Sequence, residues 1–178
     1  MKTQFQNIRL YETKLDGFRR FIRKGGLLIL KKSNLSKLIS NGDFEEASVI
    51  KHEMDMDEFA NEIMVIAFEE KDISVYTFIY YLLSSEEDSR LHRIACNLMC
   101  HVFKDYKGAY KSGLFHTRRA IELSPNYLAY REMLLFFGSI PNKLISNQEL
   151  KEVCAIILSK DPNNEAVKAF QSFKSHKV

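Results

Sequence analysis

GDFEEASVIKHEM, residues 42–54, opens on a glycine and an aspartate, continues with an aromatic and two glutamates, and sets an alanine on an apolar stripe. It reads as the elbow of a two-helix unit. A similar stretch returns at GAYKSGLFHTRRAIELSP, residues 108–125. Gly42 and Gly108 stand 66 residues apart, or two periods of 33. A recurring elbow at such a period is the mark of a chain built from stacked helix pairs.

The surrounding sequence agrees. Seven glycines and three prolines leave long uninterrupted periodic runs, which favour helix over strand. Phe59, Ile63, Ile66 and Ala67 fall at i, i+4, i+7 and i+8, a buried helical stripe, with Glu58, Glu62 and Glu69 on the opposite side. Ala47, Gly113 and Ala120 are small where antiparallel helices would touch. Pro125 and Pro162 lack a backbone donor and end a helix, and nearby Asn and Ser side chains can cap the next one. Helices are expected at 27–41, 44–54, 57–70, 73–84, 89–104, 109–123, 127–137, 148–159 and 163–174.

These residues resemble the tetratricopeptide repeat, whose period is roughly 34 residues. That family places a small residue and an aromatic at the start of the second helix, alanines where helices touch, and a proline just after that helix. Gly108, Tyr110, Gly113, Ala120 and Pro125 match it in the later unit; Gly42, Asp43, Phe44 and Ala47 match it in the earlier one. A final unit runs from Pro125 to Pro162, and its length of 37 implies an insertion in the turn. Residues 57–90 have two helical patterns without the small-aromatic signature. The resemblance implies an all-α chain of antiparallel helix pairs stacked as a short right-handed solenoid. It implies a single domain over 1–178, with a basic helical segment at 1–33 and helix pairs over 34–178.

The 178 residues, 46% of them hydrophobic, suit one compact domain of roughly 150 residues. The N-terminus has no apolar stretch fit for a signal peptide, and Leu27–Leu30 is far short of a membrane span. Three cysteines without a secretion signal read as reduced thiols in a cytoplasm. The net charge of +3 conceals a division: +8 over residues 1–42, −12 over 43–88 and +7 over 89–178. An acidic middle lies between basic ends.

Several constellations carry chemistry on paper. His92, Cys96 and Cys100, with His101 adjacent and Cys154 distant, could ligate zinc, but the thiols sit among Ile94, Leu98 and Val102 and read as core. No phosphate loop, nucleophile elbow or HExxH occurs, and the glutamates have solvent-face spacing; neither an enzyme nor a cofactor is expected. The basic runs FRRFIRKGG (18–26) and Lys31–Lys32, with Arg118 and Arg119, could meet nucleic acid, but the acidic middle would repel a long polyanion.

The acidic stripe is the strongest candidate: Asp43, Glu45, Glu46, Glu53, Asp55, Asp57, Glu58, Glu62, Glu69 and Glu70, joined by Tyr76 and Tyr80 from the aromatic helix VYTFIYYLL. Complementary potential at such a face would speed encounter with a basic protein. The expectation is therefore a protein-binding repeat protein. Its favoured form is a bacterial immunity protein or antitoxin that neutralises a basic, nuclease-like antibacterial toxin. The alternative is an adaptor taking a peptide tail through Asn97, His101, Lys104 or Arg131, and the third reading is nucleic-acid binding.

Overall fold

The computed structural model describes residues 26–175, and there the chain is helical with no strand. Helices α1 (Gly26–Asn41), α2 (Phe44–His52), α3 (Met56–Glu70) and α4 (Ser74–Ser85) come first. Helix α5 (Ser89–Asn97) runs into a π turn, Leu98–Val102. It is followed by α6 (Ala109–Leu123), α7 (Leu128–Ser139), α8 (Asn147–Lys160) and α9 (Glu165–Ser175). Each expected helix has its counterpart. The basic segment with Phe18, Phe21 and Ile22 lies outside the described residues.

Two kinds of junction alternate along the chain. After α1, α3, α5 and α7 the backbone passes through a left-handed residue: Gly42 (φ 85°), Lys71 (φ 52°), Gly108 (φ 89°) and Lys143 (φ 33°). Glycine takes that conformation freely, whereas a side-chain-bearing residue pays about 1–2 kcal/mol. The α3–α4 turn at Lys71 is thus an elbow without its glycine, which is why residues 57–90 show no signature. The other junctions begin the next helix with an extended or capping residue. Asp55 Oδ1 accepts from the N–H groups of Asp57 (3.0 Å) and Glu58 (2.8 Å), and Asp88 Oδ1 from Arg90 N–H at 2.7 Å. Asn164 Oδ1 does the same for Ala166 and Val167 at the start of α9. Pro125 and Pro162 both fall at such junctions, as their missing donor requires. The insertion expected in the last unit is the α7–α8 loop, 140–146.

Pairs of touching residues give helix direction. His92 meets His116, while Cys100, further along, lies against Gly113, so α5 and α6 run antiparallel. Tyr76 meets Ser112 and, beyond α4, Glu87 meets Arg119, so α4 and α6 run parallel. Most of the parallel contacts recur at a narrow offset; Arg118–Glu149 at 31, Tyr76–His116 at 40 and Ser89–Tyr130 at 41 fall outside it. Ser36–Glu70, Asp57–Arg93, Tyr76–Ser112, Glu87–Arg119, Ser89–Ser124, Asn126–Lys160 and Glu132–Asn164 all join residues 32 to 36 apart.

The buried apolar side chains form two clusters. Leu35, Ile39, Ala47, Phe59, Ile63, Phe78, Ile79, Leu98 and Phe103 belong to the first, and Leu114, Leu134, Phe137, Leu150, Ile157, Val167 and Phe170 to the second. Helix α5 and its π turn feed both: Ile94, Ala95 and Leu98 face the first, Cys96 and Cys100 the second. The π turn adds a residue to the helical register, which lets one short element present apolar atoms in two directions. Gly113 completes the junction, since a methyl group there would collide with Cys100 Sγ on the π turn.

Candidate functional site

The acidic residues separate into two groups at opposite ends of α3. Ser36, near the end of α1, lies 3.4 Å from Glu70 at the end of α3. Glu69 and Glu70 therefore stand at the level of the Gly42 elbow, where Asp43, Glu45 and Glu46 open α2. Glu53, Asp55, Asp57 and Glu58 occupy the other end, about 18 Å away for a helix rising 1.5 Å per residue. All nine are exposed, while Glu62 is half-buried between the groups.

Their side chains do different things. Asp55 is spent on capping α3. Asp57, whose side chain is 90% exposed, accepts from Arg93 Nη2 at 3.3 Å. Glu45, Glu46 and Glu58 meet no cation among the described residues, and Val49, 60% exposed, adds an apolar spot to the outer side of α2. Tyr80 is 61% exposed on α4. Tyr76 instead turns inward, its hydroxyl 2.8 Å from His116 Nε2 and 3.1 Å from Ser112 Oγ.

That inward turn leads to a polar network between α4, α5 and α6. His116 is 1% exposed and His92 is 4% exposed. Their Nδ1 atoms are 2.8 Å apart, and His92 Nε2 lies 3.1 Å from Glu87 Oε1. Glu87 in turn accepts from Arg119 Nε at 2.6 Å and Nη2 at 2.7 Å, and Arg119 Nη1 donates to Glu122 at 2.7 Å. Arg119 first, then His92, hold the Glu87 carboxyl down at about 2, well below the usual carboxylate range. Burial, then the facing His92 ring, push His116 down to about 4.

These facts assign the protons. An ionised Glu87 only accepts, so His92 Nε2 carries a hydrogen, and in the neutral ring Nδ1 is then an acceptor. His116 Nδ1 must donate to it, which leaves His116 Nε2 to accept the Tyr76 hydroxyl, and Tyr76 to accept from Ser112. Every polar atom of the relay is satisfied with both rings neutral. Nothing in the spacing of GLFHTRRA announced this; the one legible signal was a histidine on the apolar side of an otherwise regular amphipathic helix.

The thiols are core groups. Cys96 Sγ is 4.0 Å from Cys100 Sγ and 3.1 Å from Thr117 Oγ1, and Cys154 lies in the second cluster. Contact with Cys96, then burial, raise the Cys100 thiol. Both nitrogens of His92 point away from the sulfurs, and among the described residues no three His, Cys, Asp or Glu side chains gather as a metal site. Of the residues suggested for peptide capture, Asn97, His101 and Arg131 are half-buried and Lys104 is exposed. Arg131 shares an open cleft of about 270 Å³ with Arg118, Glu149 and Glu152, and Arg118 is already paired with Glu149 at 2.9 Å. No described helix is long and apolar enough to cross a membrane.

Comparison with protein-family models, curated proteins and solved structures gives no match.

Proposed function

We propose that the chain is a protein-binding array of helix pairs, stacked as a tetratricopeptide-like solenoid, whose outward carboxylates on α2 and α3 receive a basic folded partner. The observation that carries the reading is the offset of 32 to 36 residues shared by seven of the parallel cross-helix hydrogen-bonded pairs. Contacts at one constant offset arise when each helix pair packs on the next in the same way, and stacked pairs build extended surfaces suited to recognition. The alternation of left-handed elbows and capped turns supports the same arrangement. Glu45, Glu46 and Glu58 support the chemistry, being exposed carboxylates that meet no cation among the described residues. The specific form is an immunity protein or antitoxin neutralising a basic antibacterial toxin in the cytoplasm. It rests on the charge of this face.

The test is parallel capture from native lysate with the wild type and with Glu45→Lys/Glu46→Lys/Glu58→Lys, followed by kinetics on whatever the wild type alone retains. The expected partner is basic, binds tenfold or more slowly to the variant, and loses association rate as salt rises. Thermal stability of the variant falls by about 1–2 kcal/mol, because the three carboxylates lie in the first turns of α2 and α3 and complement their helix dipoles, while the helical circular dichroism spectrum stays that of wild type. A partner bound equally by both proteins, with no salt dependence, removes the acidic face from the account.

A further inference from the structure

The buried relay has no part in the acidic face, yet it sits where the two apolar clusters meet. We propose that the His92–His116 pair is a proton-operated joint between α5 and α6, which accepts one proton while closed and opens on the second.

The geometry sets that limit. The groups facing the pair are Tyr76 from α4, Glu87 from the α4–α5 junction, with Arg119 and Glu122 behind it, and Ser112 from α6. Cys96, one turn along α5, is engaged with Thr117 and Cys100 instead. A proton arriving at half-buried Ser112 can be passed inward. Ser112, Tyr76 and His116 each accept one proton and hand one on, and the charge comes to rest on His92 beside the Glu87 carboxylate. The three hydrogen bonds from His92 to Ser112 survive with their direction reversed, while His92 Nε2–H still donates to Glu87: His92 Nδ1–H donates to His116 Nδ1, His116 Nε2–H to Tyr76, and Tyr76 to Ser112. The contact therefore has two closed states related by a shift of protons alone.

A second proton has no such place. Both Nδ1 atoms would carry hydrogen across 2.8 Å, with no acceptor between them and two positive rings out of water. Only separation of α5 from α6 relieves this. Burial first, and then the facing His92 ring, act in the same sense, holding His116 down to about 4.

The sign of the pH dependence follows. Between 6.5, the ordinary imidazole value, and about 4, an opened chain binds a proton on His116 and the closed chain does not. Stability is therefore complete above 6.5 and falls as pH falls, with the opening constant rising up to about tenfold per pH unit for the one proton. Glu87 acts in the same direction but lower, from its ordinary 4.5 down to about 2.

The experiment is a titration of the full chain from pH 8 to 3.5, following both imidazoles by nitrogen-detected NMR and backbone hydrogen exchange in α5, α6 and α8. The expected result is that His116 stays neutral below pH 6, and that amides of α5 and α6 lose protection as it charges, before those of α8. In His116→Gln, which keeps polar atoms without a titrating ring, the loss moves into the lower window of Glu87. Charging of His116 near 6.5 with α5 and α6 still protected overturns the proposal, as does a His116→Gln protein opening at the wild-type pH. Should that variant not fold, the wild-type titration decides alone.

Discussion

The elbows at Gly42 and Gly108 share a backbone and differ in nearly everything else. Both glycines are left-handed, at φ 85° and 89°, and in both a methyl group would meet nothing within 4 Å. An aromatic follows two residues later in each, Phe44 or Tyr110, and a small residue five residues later, Ala47 or Gly113. Around the first stand Asp43, Glu45 and Glu46; around the second stand Lys104, Lys107 and Lys111. The small residues also meet different neighbours, Ala47 an all-hydrocarbon cluster and Gly113 the Cys100 thiol on a π turn. Turn geometry and helix spacing are thus held constant, while charge and packing partners vary. A repeat of this kind conserves backbone needs and leaves the surface free to choose partners.

The comparison is broken most severely by cutting into the core beside the first elbow. Phe78 is fully buried, 5.6 Å centroid to centroid from Phe44 and 6.3 Å from Phe59. Phe78→Ala should cost about 3–5 kcal/mol in chemical denaturation, from lost transfer energy and the cavity left behind. Because α5 serves both clusters, the variant should still unfold in one transition by circular dichroism and by calorimetry. Two separated transitions would show that the halves on either side of α5 are independent.

A smaller effect tests the second elbow. Gly113→Ala gains helix propensity of up to about 1 kcal/mol yet forces Cys100 Sγ to move, and overpacking of this sort costs about 1–3 kcal/mol. The net should be destabilising. Removing the sulfur first should change the sign: in a Cys100→Ala background, Gly113→Ala should be neutral or stabilising. A double-mutant cycle without coupling would mean that α6 and the π turn are not in close contact.

Legibility in the sequence followed the same division. Glycine elbows, alanine contacts and helix-ending prolines are local requirements, and from them the helices could be laid out almost end to end. Lys71 escaped notice because a left-handed lysine has no compositional mark; the cost is met by the packing of α3 and α4 around it. The acidic residues were legible as a list but not as a place, since their division between the two ends of α3 depends on the parallel stacking of α1 and α3. The buried relay was the least legible. His92, His116, Tyr76 and Glu87 come from three separate segments, and nothing along the chain marks that they meet.

The finest test concerns the shared backbone itself. Gly42→Ala and Gly108→Ala each introduce a side chain into the left-handed region, at about 1–2 kcal/mol, partly offset by the reduced freedom of the unfolded chain. With no atom near either added methyl, packing contributes nothing, so the two variants should lose about 1 kcal/mol each and be indistinguishable in denaturation midpoint. Gly42→Asn and Gly108→Asn should recover part of the loss, because asparagine enters that region more readily than alanine. The charges around the elbows should not enter: the equality should persist from low to high salt, although one elbow is acidic and the other basic. A clear difference between the alanine variants that salt abolishes would show that the surrounding charges shape these turns, and the likeness of the two elbows would then be one of angle alone.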